Sequence, residues 1–171
     1  QVFAPLGMDH SGFVEADLPG RSAAFGYYRN EIEDLRDVAL AAAGVYMSGD
    51  DMDAFLLAHL DGGGVLSQEW RDQAFAPSEG TERLAMSYRR FETPRGLLLG
   101  HGGNNSSWNA QIYIRPETGD GFYFMTNATS GAQLDFDLSC TWLSAIREMP
   151  VESVCDEAYE LTHQISLATG V

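Results

Sequence analysis

Lysine is absent from the sequence: all ten basic side chains are arginines. That excludes a P-loop lysine, a Schiff-base lysine and a Ser-x-x-Lys nucleophile pair within these residues. Cysteine is scarce, and Cys140 and Cys155 form no metal-binding pattern. In an exported protein they could form one disulfide; otherwise they are two buried thiols. No stretch approaches the ~20 continuous apolar residues that span a bilayer. No charged-then-apolar leader marks a signal peptide. Positive charge is also short. Twenty-five acidic residues against ten arginines leave a net charge of −15, which argues against nucleic acid and anionic membrane surfaces as partners. The acids are scattered and read as a solvated surface. There is no internal repeat, low-complexity tract or linker. The first residue is Gln1 rather than methionine, so the expectation is a processed or excised form, or a piece of something longer.

What is present fits one ordinary domain: 171 residues with 44% hydrophobic content. A compact chain of this size buries roughly 70% of the surface its unfolded form exposes. Ser48 followed by Asp51 predicts a capped helix start. Met52, Phe55, Leu56 and Leu60 then recur at helical spacing until Gly62-Gly63-Gly64. His59, in the last turn, reads as structural, a cation suited to the dipole. A short helix is expected from Ser67 to about Phe75, stopped by Pro77. The period then changes. "RLAMSYRRFE" alternates Leu84, Met86 and Tyr88 against Ala85, Ser87 and Arg89 as in a strand, "GLLLGH" reads as a short apolar strand, and "WNAQIYIRP" places Trp108, Ala110, Ile112 and Ile114 on one face. After the turn "ETGDG", "FYFMTN" is a further strand. Short connections between consecutive strands predict an antiparallel meander. A helix resumes near Gln133 with Leu134, Leu138, Trp142 and Ile146 spaced four apart. Pro150 breaks it, and Val154, Ala158, Leu161 and Ile165 suggest a last amphipathic helix.

The stretch "GHGGNNSSW", residues 100 to 108, draws attention because it sets a titratable ring among glycines. A phosphate loop needs its glycines between a strand and a helix N-terminus; here they lead into another strand. His10, His59, His101 and His163 have no paired metal ligand at helical or hairpin spacing. The triplets starting at Asn104, Asn105 and Asn127 match glycosylation sequons only formally. The remaining reading is a strand edge lining a substrate cleft. Glycines after the histidine let a ligand approach closely, and the amide of Asn104 is free to donate to an oxyanion.

The order "VFAPLGMDHSGF", "AAAGVYMSGDDMDAFLLAHLDGG" and "GHGGNNSSWNAQIYIRPETGDGFYFMTN" resembles the C-terminal half of the serine β-lactamase and penicillin-binding-protein-like family. That family includes class C β-lactamases, D-Ala-D-Ala carboxypeptidases, D-aminopeptidases and related esterases. The resemblance covers about residues 2 to 147. It implies an α/β (α+β) fold: the C-terminal part of the β-lactamase/DD-peptidase sandwich, an antiparallel sheet flanked by helices. Residues 1–171 would then be a single partial domain, the N-terminal catalytic half being absent. It implies that His101-Gly102-Gly103 is the family's Lys/His-x-Gly element in its histidine version. His101 and Asn104 become the catalytic candidates, His101 assisting protonation or binding a carboxylate and Asn104 donating its amide to the oxyanion hole. Gly102 and Gly103 become the substrate-binding candidates. Asn127 reads as a structural cap, and Tyr28-Arg29-Asn30 as a coincidental match to the family's Tyr-x-Asn element.

The implied activity is acyl transfer through a serine acyl-enzyme, on a β-lactam, a D-amino-acid peptide or an ester, with no metal and no cofactor. Because Ser-x-x-Lys is missing, the chain alone is expected to be inactive. The implied partners are the small-molecule substrate and either the N-terminal half of the same fold or a second copy. The family suggests a periplasmic or secreted location, with a cytoplasmic one left open. The alternative from another class is a non-catalytic binding or assembly module derived from this fold.

Overall fold

The computed structural model describes residues 2–13, 23–29, 31–33, 43–61, 65–105 and 107–155. A two-stranded hairpin, β1 (Gly26–Tyr28) and β2 (Glu31–Glu33), precedes two helices, α1 (Gly49–Asp61) and α2 (Gln68–Phe75). Four strands follow: β3 (Arg89–Thr93), β4 (Gly96–Asn105), β5 (Trp108–Arg115) and β6 (Asp120–Thr126). They form one antiparallel sheet in that order, and α3 (Gly131–Arg147) returns across it. The expected meander is there, with a fourth strand on its outer side.

Local chemistry explains the helix starts. The Asp51 amide donates to Ser48 Oγ at 3.1 Å, and the Trp70 amide to Ser67 Oγ at 3.1 Å, each satisfying an N–H that the helix itself cannot. The apolar run in "GLLLGH" serves two cores. Leu99 and Ile114 pack with Leu56 of α1, Ala74 and Phe75 of α2, Ala85 and Tyr88. Leu98 and Tyr113 pack on the opposite face with Leu143 of α3 and Val154. Trp142 stacks on Tyr113 and Phe122 at centroid distances of 5.6 and 5.5 Å. A central strand buried on both faces reads as a continuous hydrophobic run.

Three expectations need correction. Leu84 to Tyr88 do not form a strand: the Ala85 amide donates to the Tyr88 carbonyl at 2.8 Å, closing a turn, and Met86 is exposed. The four-residue stripe of α3 faces the sheet only in its C-terminal half: Leu134 and Leu138 are exposed, whereas Ile146 is buried and Trp142 packs on the second core beside buried Cys140 and Leu143. The sheet meets this helix through its C-terminal half. His59 is buried rather than placed as a cation at a helix end. Its Nδ1 donates to the Phe55 carbonyl at 2.7 Å, so Nε2 accepts the Tyr88 hydroxyl at 2.6 Å. Burial among Phe55, Trp70 and Tyr88 lowers its pKa.

The two cysteines are joined as a disulfide, with Cα atoms 5.3 Å apart. It ties α3 to the short helical segment at 151–155, which places Val154 in the second core. Gly62–Gly64, Asn30, His163 and the rest of the expected last helix beyond residue 155 lie outside the described residues.

Candidate functional site

β4 outruns its neighbour, and that inequality makes the site. β3 pairs with β4 only from Gly96 to Gly100, whereas β5 pairs with it as far as Asn105. From His101 to Asn105, β4 therefore has a strand on one side and, among the described residues, none on the other. A two-residue turn at 94–95 closes the β3–β4 hairpin, with Thr93 and Gly96 as its bonded closing pair, so Gly96, Leu98 and Gly100 address β3. Backbone groups alternate from there: His101, Gly103 and Asn105 address β5, while Gly102 and Asn104 turn their N–H and C=O groups to the open edge.

Side chains alternate as well. His101 and Gly103 lie on the face of Leu99, the face that α1 and α2 cover further down the sheet. Both are exposed, because the helices stop short of them. Gly100, Gly102 and Asn104 lie on the α3 face. The Asn104 side chain donates to Asn109 Oδ1, whose own amide donates to the Ala128 carbonyl at 3.1 Å. Asn104 thus turns its backbone, and not its side chain, to the open edge. The expected catalytic pair is brought to one strand end, the imidazole above the sheet and the amide in its plane. Gly102 contributes to the edge and Gly103 to the floor.

The glycines differ in why they are glycine. A Cβ at Gly100 would lie 2.6 Å from Tyr113 Cε1, and one at Gly102 would meet Gln111 Oε1. A Cβ at Gly103 would meet nothing within 4 Å. Its bareness has no cause in the packing of the described residues.

Reasoning from sequence passed over three further features. Across the sheet from Gly103 lie Ala110 and then Met125, both exposed; across from His101 lie Ile112 and Tyr123. The β4–β5 register sets which residues of "WNAQIYI" share the histidine's face. The Tyr123 hydroxyl donates to the Gly49 carbonyl at 3.3 Å. Desolvation and the adjacent Asp53 and Asp50 raise its pKa.

Ser11, His10 and Asp51 also meet, in the residue types of a serine triad but not in its order. The Ser11 hydroxyl and the His10 amide both donate to Asp51 Oδ2, at 2.7 and 2.8 Å, and His10 Nδ1 lies 3.9 Å from Oδ1. A triad needs the histidine between serine and carboxylate; here the buried carboxylate sits between the other two and anchors the N-terminal turn to α1. Asn127 ties β1 to the end of β6: its side chain donates to the Phe25 carbonyl at 2.8 Å, and its carbonyl accepts the Tyr27 amide at 2.8 Å. Tyr28 and Arg29 lie on that peripheral hairpin.

On the opposite face a cavity of about 370 Å³ opens between β4, β5 and α3, with Phe91, Phe136, Leu143 and Val154 among its walls and Arg89 and Arg147 among its polar lining.

A family model described as Beta-lactamase matches residues 1–139. Among solved structures, the chain is similar to the octameric penicillin-binding protein homologue from Pyrococcus abyssi, with a TM-score of 0.67 at 16% identity. The similarity covers 84% of this chain and 36% of that one, so the chain spans little more than a third of that structure's length. No curated protein matches it significantly.

Proposed function

Since the chain belongs to the β-lactamase family, we propose that it supplies the His-x-Gly strand and one oxyanion donor to a serine acyl-transfer hydrolase. The serine and its proton acceptor come from outside these residues, which contain no lysine. The serine attacks the carbonyl of a β-lactam, a D-amino-acid peptide or an ester. The Asn104 N–H stabilises the oxyanion, a contribution on the order of 3 kcal/mol for one such donor. His101 assists protonation or holds a substrate carboxylate. The observation that carries this reading is the end of β4: an exposed imidazole and an outward-facing amide three residues apart, beside a glycine with no packing reason to be one.

Assembly with the serine half, or with further copies, follows from the same reading and accords with the octameric state of the Pyrococcus homologue. The Cys140–Cys155 disulfide supports a periplasmic or secreted location, where such bonds persist.

The test is kinetic. The 171-residue chain alone should hydrolyse neither a chromogenic β-lactam nor a short-chain ester above background. In the full-length protein that contains it, His101→Ala should lower turnover roughly ten- to a thousandfold, and Asn104→Ala far less, since its side chain points away. Near-normal turnover in a folded His101→Ala protein would remove His101 from the mechanism and favour a non-catalytic module.

A further inference from the structure

We infer that the cavity beneath α3 is a binding site for a small carboxylate with a medium-length apolar body. The site is separate from the face that carries His101, and it goes beyond the acyl-transfer reading without resting on it. The volume of about 370 Å³ falls in the range of small-molecule sites. Packing explains why the space is there. A Cβ at Gly100 would lie 2.6 Å from Tyr113 Cε1, and one at Gly102 would meet Gln111 Oε1. The side chains of β5 thus lie low across the glycines of β4 instead of rising toward α3. Phe136 and Leu143 of α3 wall the space left between helix and sheet.

The lining is of two kinds. Phe91, Phe136, Leu143 and Val154 make it apolar, and the last two are 8% and 1% exposed, an interior that disfavours an unpaired charge. Arg89, at the start of β3, is exposed and has no ion-pair partner among the described residues. Arg147 brings a second positive charge to the lining. In a chain of net charge −15, the described lining holds these two arginines and no aspartate or glutamate. The described acidic side chains of the surrounding elements are engaged with other groups. Glu92 lies 3.8 Å from Arg90, Asp120 3.0 Å from Arg115 and Glu148 2.8 Å from Arg95, and Asp137 accepts from Gln133 at 2.8 Å.

Position sets the direction of the ligand. Arg89 pairs with Gly100, whereas Phe91 pairs with Leu98, which is fully buried beside Leu143 and Val154. The charged end of the cavity therefore lies at the start of β3, and the apolar end lies further in. An arginine fork takes a carboxylate through two parallel hydrogen bonds, and burial of the body against the apolar walls adds affinity.

The test titrates the 171-residue chain, labelled with ¹⁵N and ¹³C-methyl groups and shown to be folded by its thermal transition. The probes are octanoate, octanamide, acetate and octyltrimethylammonium. Octanoate should shift the Leu143 and Val154 methyl signals and the Gly100 amide. It should bind at least tenfold more tightly than acetate, which lacks the body, and octanamide, which lacks the charge. Octyltrimethylammonium should leave those signals in place. Arg89→Gln, at an exposed position outside the acyl-transfer site, should leave the thermal transition unchanged. It should weaken octanoate at least fivefold and leave octanamide unaffected, whereas Phe136→Ala should weaken both. Octanamide or the ammonium binding as tightly as octanoate would overturn the anion site. So would octanoate shifts confined to other surfaces, an affinity untouched by Arg89→Gln, or no response at all. None of these outcomes bears on His101 or Asn104.

Discussion

Gly103 and Gly100 pose one question with two answers. Both sit in β4, yet only Gly100 has a neighbour, Tyr113, in the way of a methyl group. Gly100→Ala should therefore cost about 1–3 kcal/mol through overpacking. Gly103→Ala should be neutral or stabilising by about 0.5–1 kcal/mol, since alanine suits a strand better, while lowering turnover in the full-length protein. Thermal unfolding beside steady-state kinetics separates the two, and a Gly103→Ala variant with intact kinetics would detach Gly103 from the site. The buried His59–Tyr88 pair gives a second test at this scale. Desolvation depresses the His59 pKa below 6.5, with Arg71 adding a repulsive charge. Folded His59 thus binds fewer protons than the unfolded chain, so stability is complete above pH 6.5 and falls as the pH drops below it. Burial raises Tyr88 to about 12 from 10, so its contribution is complete below pH 10 and disappears as the pH rises toward 12. Tyr88→Phe should cost about 1–3 kcal/mol by leaving the buried Nε2 without its donor. It should also weaken the alkaline loss, as chemical denaturation at pH 8 and pH 11 would show.

Among the elements, the segment at 151–155 depends most on a single link. Val154 is 1% exposed in the second core, and the disulfide beside it closes a loop with a sequence separation of 15. Opening a loop of that length costs about 3 kcal/mol by the chain-entropy estimate. Reduction should lower the melting temperature and raise hydrogen exchange first at Leu98, Tyr113 and Leu143, where Val154 packs. The first core, joined through Leu56, Phe75 and Leu99, should respond less. Equal protection before and after reduction would show that packing alone holds the segment. The short reach of β3 matters as much at this scale: had it continued past Arg89 it would have paired with Gly102 and Asn104 and consumed the free amide.

At the scale of the whole molecule, the described residues leave a strand edge and apolar side chains uncovered. Among the described residues β6 is paired only with β5, Leu134 and Leu138 stand exposed on α3, and the cavity beneath that helix has Phe91, Phe136, Leu143 and Val154 among its walls. Unpaired strand edges and apolar patches are common routes to association. The net charge of −15 opposes contact between copies, and salt screens that repulsion. Sedimentation should accordingly show association that strengthens with ionic strength and weakens in Leu134→Glu/Leu138→Glu. A monomer at every salt concentration would argue that these surfaces are closed by other parts of the same protein. Among the described residues, no helix is long and apolar enough to cross a membrane.

The sequence by itself determined the local periodicities and their order: α1 from its Ser48 cap, α2 from Ser67, the meander from alternation and tight turns, and the His101–Asn104 stretch from its glycines. These are legible because a helix or strand is selected by residues close in the chain. Where the local pattern misled, at Leu84–Tyr88 and in the first half of α3, contacts with distant elements overrode it. Only the tertiary structure decided that the cysteines pair, that His59 is a buried partner of Tyr88, and that Ala110 and Met125 lie beside Gly103. The candidate site belongs to this second class. It exists because β3 ends before β4 and because α1 and α2 leave one end of the sheet uncovered. Such differences in length and cover arise when separate elements are packed together, and no local pattern records them.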